Sequence, residues 1–216
     1  MNRGRMERTV AFAYSSVAET LSRLAMDCCM FNSQNFGFIK LPDTMTTGSS
    51  IMPHKKNPDV FELIRSHANR ICAIPDTIRH ITTNLPVGYF RDLQLIKESF
   101  LPAFDEIISI INMVNAMMSQ LKVNESILDD KRYELMFSVE EVNRLAQEGT
   151  PFRDAYKQVG LAIERGEFTA PATVNHTHEG SIGNLCNDRI KQLFDNTLSQ
   201  FNFDTYHKAF DALLQR

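Results

Sequence analysis

The sequence has no excess of one charge, no paired cysteine spacing, no internal repeat and no low-complexity segment, and these absences narrow what the chain can do. Lys and Arg number 23 against 26 Asp and Glu, so a net charge of -3 leaves no electrostatic footprint for nucleic acid or an anionic membrane. No apolar run reads as long enough to span a bilayer. The arginine-rich start, MNRGRMERTVAFAYSSVAE, has apolar residues spaced as a helix stripe and interrupted by Glu7 and Glu19, which argues against a cleaved presequence. Cys28, Cys29, Cys72 and Cys186 lack zinc-site spacing, and the adjacent pair is a poor disulfide scaffold. They read as reduced thiols of a cytoplasmic protein, Cys28 and Cys72 in helix cores. His176 and His178 stand two apart with no third ligand, so no metal site is expected.

What is present is helical periodicity. At 216 residues and 43% hydrophobic, the chain supports one sizeable core or two small ones. Val10, Tyr14, Val17, Leu21, Leu24, Cys28 and Phe31 form a stripe along a helix from about Glu7 to Phe31. After Pro58 the stripe resumes through Phe61, Ile64, Ala68, Ile71 and Ile78, with Pro75 expected to bend or split the helix. Leu93, Ile96, Phe100, Ala103, Ile107, Ile110, Val114, Met117 and Leu121 hold the cleanest pattern, on the order of 40 Å of helix with a kink at Pro102. Such long stripes predict an all-α, elongated bundle whose remaining faces other helices cover, from other chains or from sequence beyond this one.

The stripe stops near Lys122, which gives domains of 1–122 and 123–216, the second a small helical C-terminal domain. There Ser138 with Glu141 reads as a capping box, Thr150-Pro151 as a cap, and Gly166 as a helix end. Phe168 to Gly183 reads as loop, and two amphipathic helices, Asp188 to Gln200 and Asp204 to Gln215, close the chain.

Between the first two stripes lies Thr46 to Asp59, TTGSSIMPHKKNPD, with no apolar period of its own. Gly48 allows a tight turn or a flap, and Ser49 and Ser50 sit on that support. Lys55, Lys56 and Asn57 follow, donors that can converge on a carboxylate or an enolate-like oxygen near a serine. A serine acts as a base only when its alkoxide is stabilised in a site that excludes water, and Lys55 is the nearest candidate for that stabilisation. Asn57-Pro58-Asp59 equally reads as a helix start with Asn57 as N-cap.

GSSIMPHKKNPDVFE resembles the signature loop of the fumarase, aspartase and argininosuccinate lyase superfamily, GSSxMPxKxNPxxxE. Gly48, Ser49, Ser50, Met52, Pro53, Lys55, Asn57, Pro58 and Glu62 match it. KKNPD followed by Leu63-Ile64-Arg65 is similar to the argininosuccinate lyase branch. So is Tyr89 to Lys97, against YNRDLQEDK, where Phe90, Leu95 and Ile96 depart and make the segment more apolar. Gly149 to Tyr156 is similar to that branch's G-x-PFR-x-A-H segment, with Tyr156 in place of His.

The resemblance implies an all-α homotetramer of roughly three domains, active sites drawn from three chains, and cleavage of argininosuccinate to arginine and fumarate without a cofactor. It assigns proton removal to Ser49, charge stabilisation to Lys55, orientation of a catalytic histidine to Glu62, and substrate binding to Asn57, Tyr89, Gln94 and Lys97. His54 and Lys56 lie where the superfamily varies and receive no role. The chain resembles only the C-terminal half of such a protein, with no counterpart of the segment carrying that histidine, so it is expected to be inactive by itself. Two alternatives are an adenylosuccinate lyase, which shares MPHK and NP, and a noncatalytic structural protein that reuses the bundle.

Overall fold

The longest helix of the chain owes its start to a glycine. The computed structural model describes residues 4–171, 174 and 176–215, and in it α1 spans Arg5–Phe31. Gly4, at φ +86°, donates its N–H to Glu7 Oε2 at 2.6 Å. A Cβ on Gly4 would stand 2.6 Å from Thr82 Cγ2, so only glycine lets the entry of α1 come this close. The helix ends at Asn32, and a turn leads through β1 (Ile39–Lys40) to a short 3-10 turn at Asp43–Met45.

The signature segment then leads into α2 (Asp59–Cys72), and α3 (Ile74–Ile81) follows after a break at Ala73. Pro75, in the first turn of α3, has no N–H for a continuing helix and accounts for the split. The third stripe is likewise interrupted. A 3-10 turn at Arg91–Gln94 and α4 (Ile96–Phe100) precede α5 (Pro102–Gln120), with Pro102 at the junction. β2 (Lys122–Val123) pairs antiparallel with β1, Ile39 opposite Val123, and this small ladder ties the end of α5 to the approach to the signature loop.

One core joins α1 to α5. It contains Phe61, Ile64, Ala68 and Ile71 of α2, Ile78 of α3, Ile96 of α4 and Ile107, Ile110, Val114 and Met117 of α5. Every position of the third stripe is buried or packs on this core. On α1 the centre of the buried face is displaced from the expected stripe. Ala11, Ala18 and Ala25, seven apart, are fully buried, whereas Val17 is 44% exposed. Small residues at that spacing let α1 and α2 approach closely. Tyr14 joins Phe100 and Phe104, with the Phe104 ring edge-on at 5.6 Å, and burial pushes its phenol up to about 12.

Arg91–Gln120 corrects the expectation that no segment is apolar enough to cross a bilayer, since by length and composition alone this stretch qualifies. Its buried stripe is part of the core shared with α1 and α2.

The chain divides into two units, Met1–Ile127 and Leu128–Arg216. In the second, α6 (Ser138–Gln147) and α7 (Phe152–Glu164) bury Val142, Ala155 and Val159 against each other. Gly166, at φ +69°, ends α7 as expected. The two expected caps are not formed. Ser138 is already helical and makes no capping hydrogen bond, while Glu141 pairs with Arg144. Thr150 makes no cap either, and α7 begins at Phe152 beyond Pro151. The expected loop contains Ala172, Thr173 and Asn175, which lie outside the described residues. Of its described part, His176 is bonded through Nε2 to Glu140 Oε1 at 2.8 Å. Two helices, α8 (Asn187–Leu198) and α9 (Phe203–Leu214), follow, the latter capped by Asn202, which accepts from Thr205 N.

Candidate active site

The signature segment is a loop with a closed neck. Thr47 and Asn57 exchange both backbone hydrogen bonds, Asn57 N to Thr47 O at 2.8 Å and Thr47 N to Asn57 O at 3.3 Å. Thr47 Oγ1 donates to Asp59 Oδ2, and Lys56 Nζ donates to Asp43 Oδ1. The Lys56 ammonium holds the Asp43 carboxyl below its usual range, through the hydrogen bond first and its charge second. Asn57 is therefore not the N-cap of α2. Pro58 occupies that position, without a side-chain cap, because the backbone of Asn57 is committed to the bridge with Thr47.

Inside the neck, the amide N–H groups of Ile51 and Met52 both donate to Ser49 Oγ, at 3.2 and 3.1 Å. Two N–H dipoles aimed at one hydroxyl oxygen favour its ionised form, because they bind an alkoxide more strongly than an alcohol. Lys55 N donates to Met52 O at 3.0 Å, a turn that sets the lysine just beyond those amides. The Lys55 side chain is exposed and forms no ion pair among the described residues. Ile51 is 87% exposed, and with the exposed Met52 it places apolar side chains beside the polar groups of the loop.

The remaining candidates occupy the same unit. Glu62 is exposed in the first turn of α2. Tyr89 and Gln94 are brought together, Gln94 Nε2 donating to the Tyr89 hydroxyl. Lys97 lies exposed on α4. The four cysteines are free thiols, and among the described residues no cluster of three or more His, Cys, Asp or Glu is placed to hold a metal. Sequence reasoning missed the two amides facing Ser49 and the roles of Asp43, Thr47 and Asp59 at the neck. A backbone amide leaves no mark in sequence, and Asp43 and Lys56 stand too far apart for any helical period to pair them.

A lyase family model matches residues 7–73, which cover α1 from Glu7 onward, the loop and α2. Argininosuccinate lyase from Phocaeicola vulgatus is 62% identical over 216 residues, all of this chain and 48% of the relative. The enzyme of the same name from Thermotoga neapolitana is 34% identical over 158 residues, 73% of this chain and 40% of the relative. Among solved structures, a fumarate lyase:delta crystallin from Brucella melitensis superposes with a TM-score of 0.61 at 21% identity, over 74% of this chain and 36% of that one. A class II fumarase from Schistosoma mansoni gives 0.56 at 19%, over 76% and 36%. These two likenesses concern the fold alone.

Long bundled helices joined through a serine- and lysine-bearing loop are the arrangement of the fumarase and aspartase superfamily, and the chain belongs to that superfamily. Both curated relatives named above are argininosuccinate lyases. The chain spans about half the length of the curated relatives it matches.

Proposed function

We propose that this chain supplies the proton-abstracting loop of an enzyme that cleaves argininosuccinate to arginine and fumarate. The observation that carries the reading is the pair of amides on Ser49 Oγ, within a loop whose residues match the superfamily signature. Ser49, as the alkoxide, takes the proton from the carbon next to the carboxylate that becomes part of fumarate. The electron pair of that C–H bond passes into the carboxylate and gives an aci-carboxylate, whose added negative charge Lys55 stabilises. Collapse of this intermediate forms the carbon-carbon double bond and breaks the C–N bond. The departing nitrogen gains a proton from a general acid, the histidine that Glu62 orients. Asn57, Tyr89, Gln94 and Lys97 bind the polar ends of the substrate, and the chemistry calls for no cofactor.

The assembly that fits this reading is a cytoplasmic homotetramer. Its support is the apolar surface left on the bundle helices, Phe12, Val17 and Met26 on α1 and Phe104, Ile108 and Met113 on α5, all exposed in the single chain. The test is co-expression with the N-terminal half of a close relative, followed by an assay for fumarate. Product is expected only from the pair. Ser49→Ala is expected to lower turnover by about 100-fold to 10,000-fold, the usual contribution of a general base. A pair that keeps its rate without Ser49 ends the assignment.

A further inference from the structure

The loop contains two adjacent lysines, and the structure treats them differently. Lys56 is tied to Asp43 on the 3-10 turn before the loop, whereas Lys55 has no ionic partner among the described residues. Lys56 is thereby committed to the neck, while Lys55, at the end of the turn on Met52, is left exposed. The second tie lies next to it, where Thr47 reaches Asp59 across the backbone pair of Thr47 and Asn57. Two ties, each between partners 12 or 13 residues apart, thus close the base of the loop, while the segment from Gly48 to Lys55 stays exposed or half-buried.

We propose that Asp43 and Thr47 are positioning residues for the catalytic loop. Through Lys56 and Asp59 they hold its neck, so that the segment moves as one flap with Ser49, its two amides and Lys55 in fixed register. The proposal rests on the reading of Ser49 and Lys55 as the reacting pair. Neither Asp43 nor Thr47 touches substrate in this scheme. They act by limiting the arrangements in which the alkoxide and the ammonium face the same ligand. Both side chains lie at the surface, so their replacement leaves the core in place.

The test uses hydrogen exchange by mass spectrometry on the chain itself, with Asp43→Asn, Lys56→Gln, Thr47→Val and the Asp43→Asn/Lys56→Gln double variant. Exchange across Gly48 to Lys55 is expected to rise about twofold to fivefold in each single variant, the range for one exposed ion pair or hydrogen bond. The double variant is expected to rise no further than either single one, because both break the same tie. Asp43→Glu is expected to restore protection. In the enzyme reassembled with an N-terminal half, Asp43→Asn should lower kcat with KM nearly unchanged, and Asp43→Glu should recover kcat. Unchanged loop exchange, additive effects in the double variant, or a rise extending through α2 and α5 would each overturn the neck. Retained activity in Ser49→Ala would instead overturn the catalytic reading and leave the exchange result standing on its own.

Discussion

The two units of this chain solve the same problem, burying amphipathic helices, to different extents. Residues up to Ile127 share one core through five helices, with Phe61, Ile71, Ile78, Ile96 and Met117 fully enclosed. In the unit from Leu128 onward the core is Val142, Ala155 and Val159, and neither α8 nor α9 buries a residue. The signature loop is anchored on α2, which buries Phe61 and Ile64 just beyond the neck, the kind of support the proposed pairing of Ser49 and Lys55 requires. The second unit has stable local pairs but little apolar burial, and the unpacked faces of α8 and α9 display Leu193, Phe194, Phe203 and Phe210.

The sharpest way to break this contrast is to remove the base. Phe61→Ala should cost about 3–5 kcal/mol of stability, read from denaturant unfolding, because its ring is wholly buried and the cavity cannot collapse against helices on every side. A loss below about 1 kcal/mol would mean that the first unit is not the rigid one. In the second unit, Val159→Ala should cost about 1–2 kcal/mol and should raise hydrogen exchange in α6 and α7 without affecting α2.

A third measurement concerns a defect within the larger core. The Tyr14 hydroxyl is buried and has no hydrogen-bond partner among the described residues. Tyr14→Phe should therefore be neutral or stabilising by about 0–1 kcal/mol. The phenol is raised from 10.0 to about 12, so below pH 10 it is neutral in both states and its contribution is constant. Between about pH 10 and 12 the unfolded chain loses the proton while the folded one keeps it, and stability falls as pH rises. Unfolding curves across that window should show the fall in the parent chain and a smaller one in Tyr14→Phe. The smallest effect is expected at Leu193→Ala on α8, within about 0.5 kcal/mol for an exposed side chain. A loss above about 1 kcal/mol there would show that α8 is covered in solution.

Much of the fold was legible because it rests on large apolar residues at regular spacing. Leu93 to Leu121 read correctly along the whole stripe, and Pro75 and Pro102 marked the breaks. On α1 the stripe held at Val10, Tyr14, Leu21, Leu24 and Cys28 but failed at Val17, because hydrophobicity ranks Val17 above Ala18, whereas a close helix crossing selects the smaller side chain. Ser138, Thr150 and Asn57 each have the residue type of a cap, yet Asn57 gives its backbone to Thr47 and Glu141 its carboxylate to Arg144. Local rules cannot foresee a competing partner. The loop candidates were legible as polar residues in an aperiodic segment and as a matched motif, whereas the two amides that donate to Ser49 Oγ were not.

By itself, the order of residues determined where helices form, where proline and glycine interrupt them, and which segment matches the superfamily signature, because each of these depends on neighbours within a turn or two. Tertiary structure decided which small residues of α1 lie at the centre of its buried face, which of two adjacent lysines is ion-paired, and what surrounds the serine oxygen. Those choices depend on groups brought together across dozens of residues, and a periodic pattern gives a direction about its own axis but not the identity of what it meets.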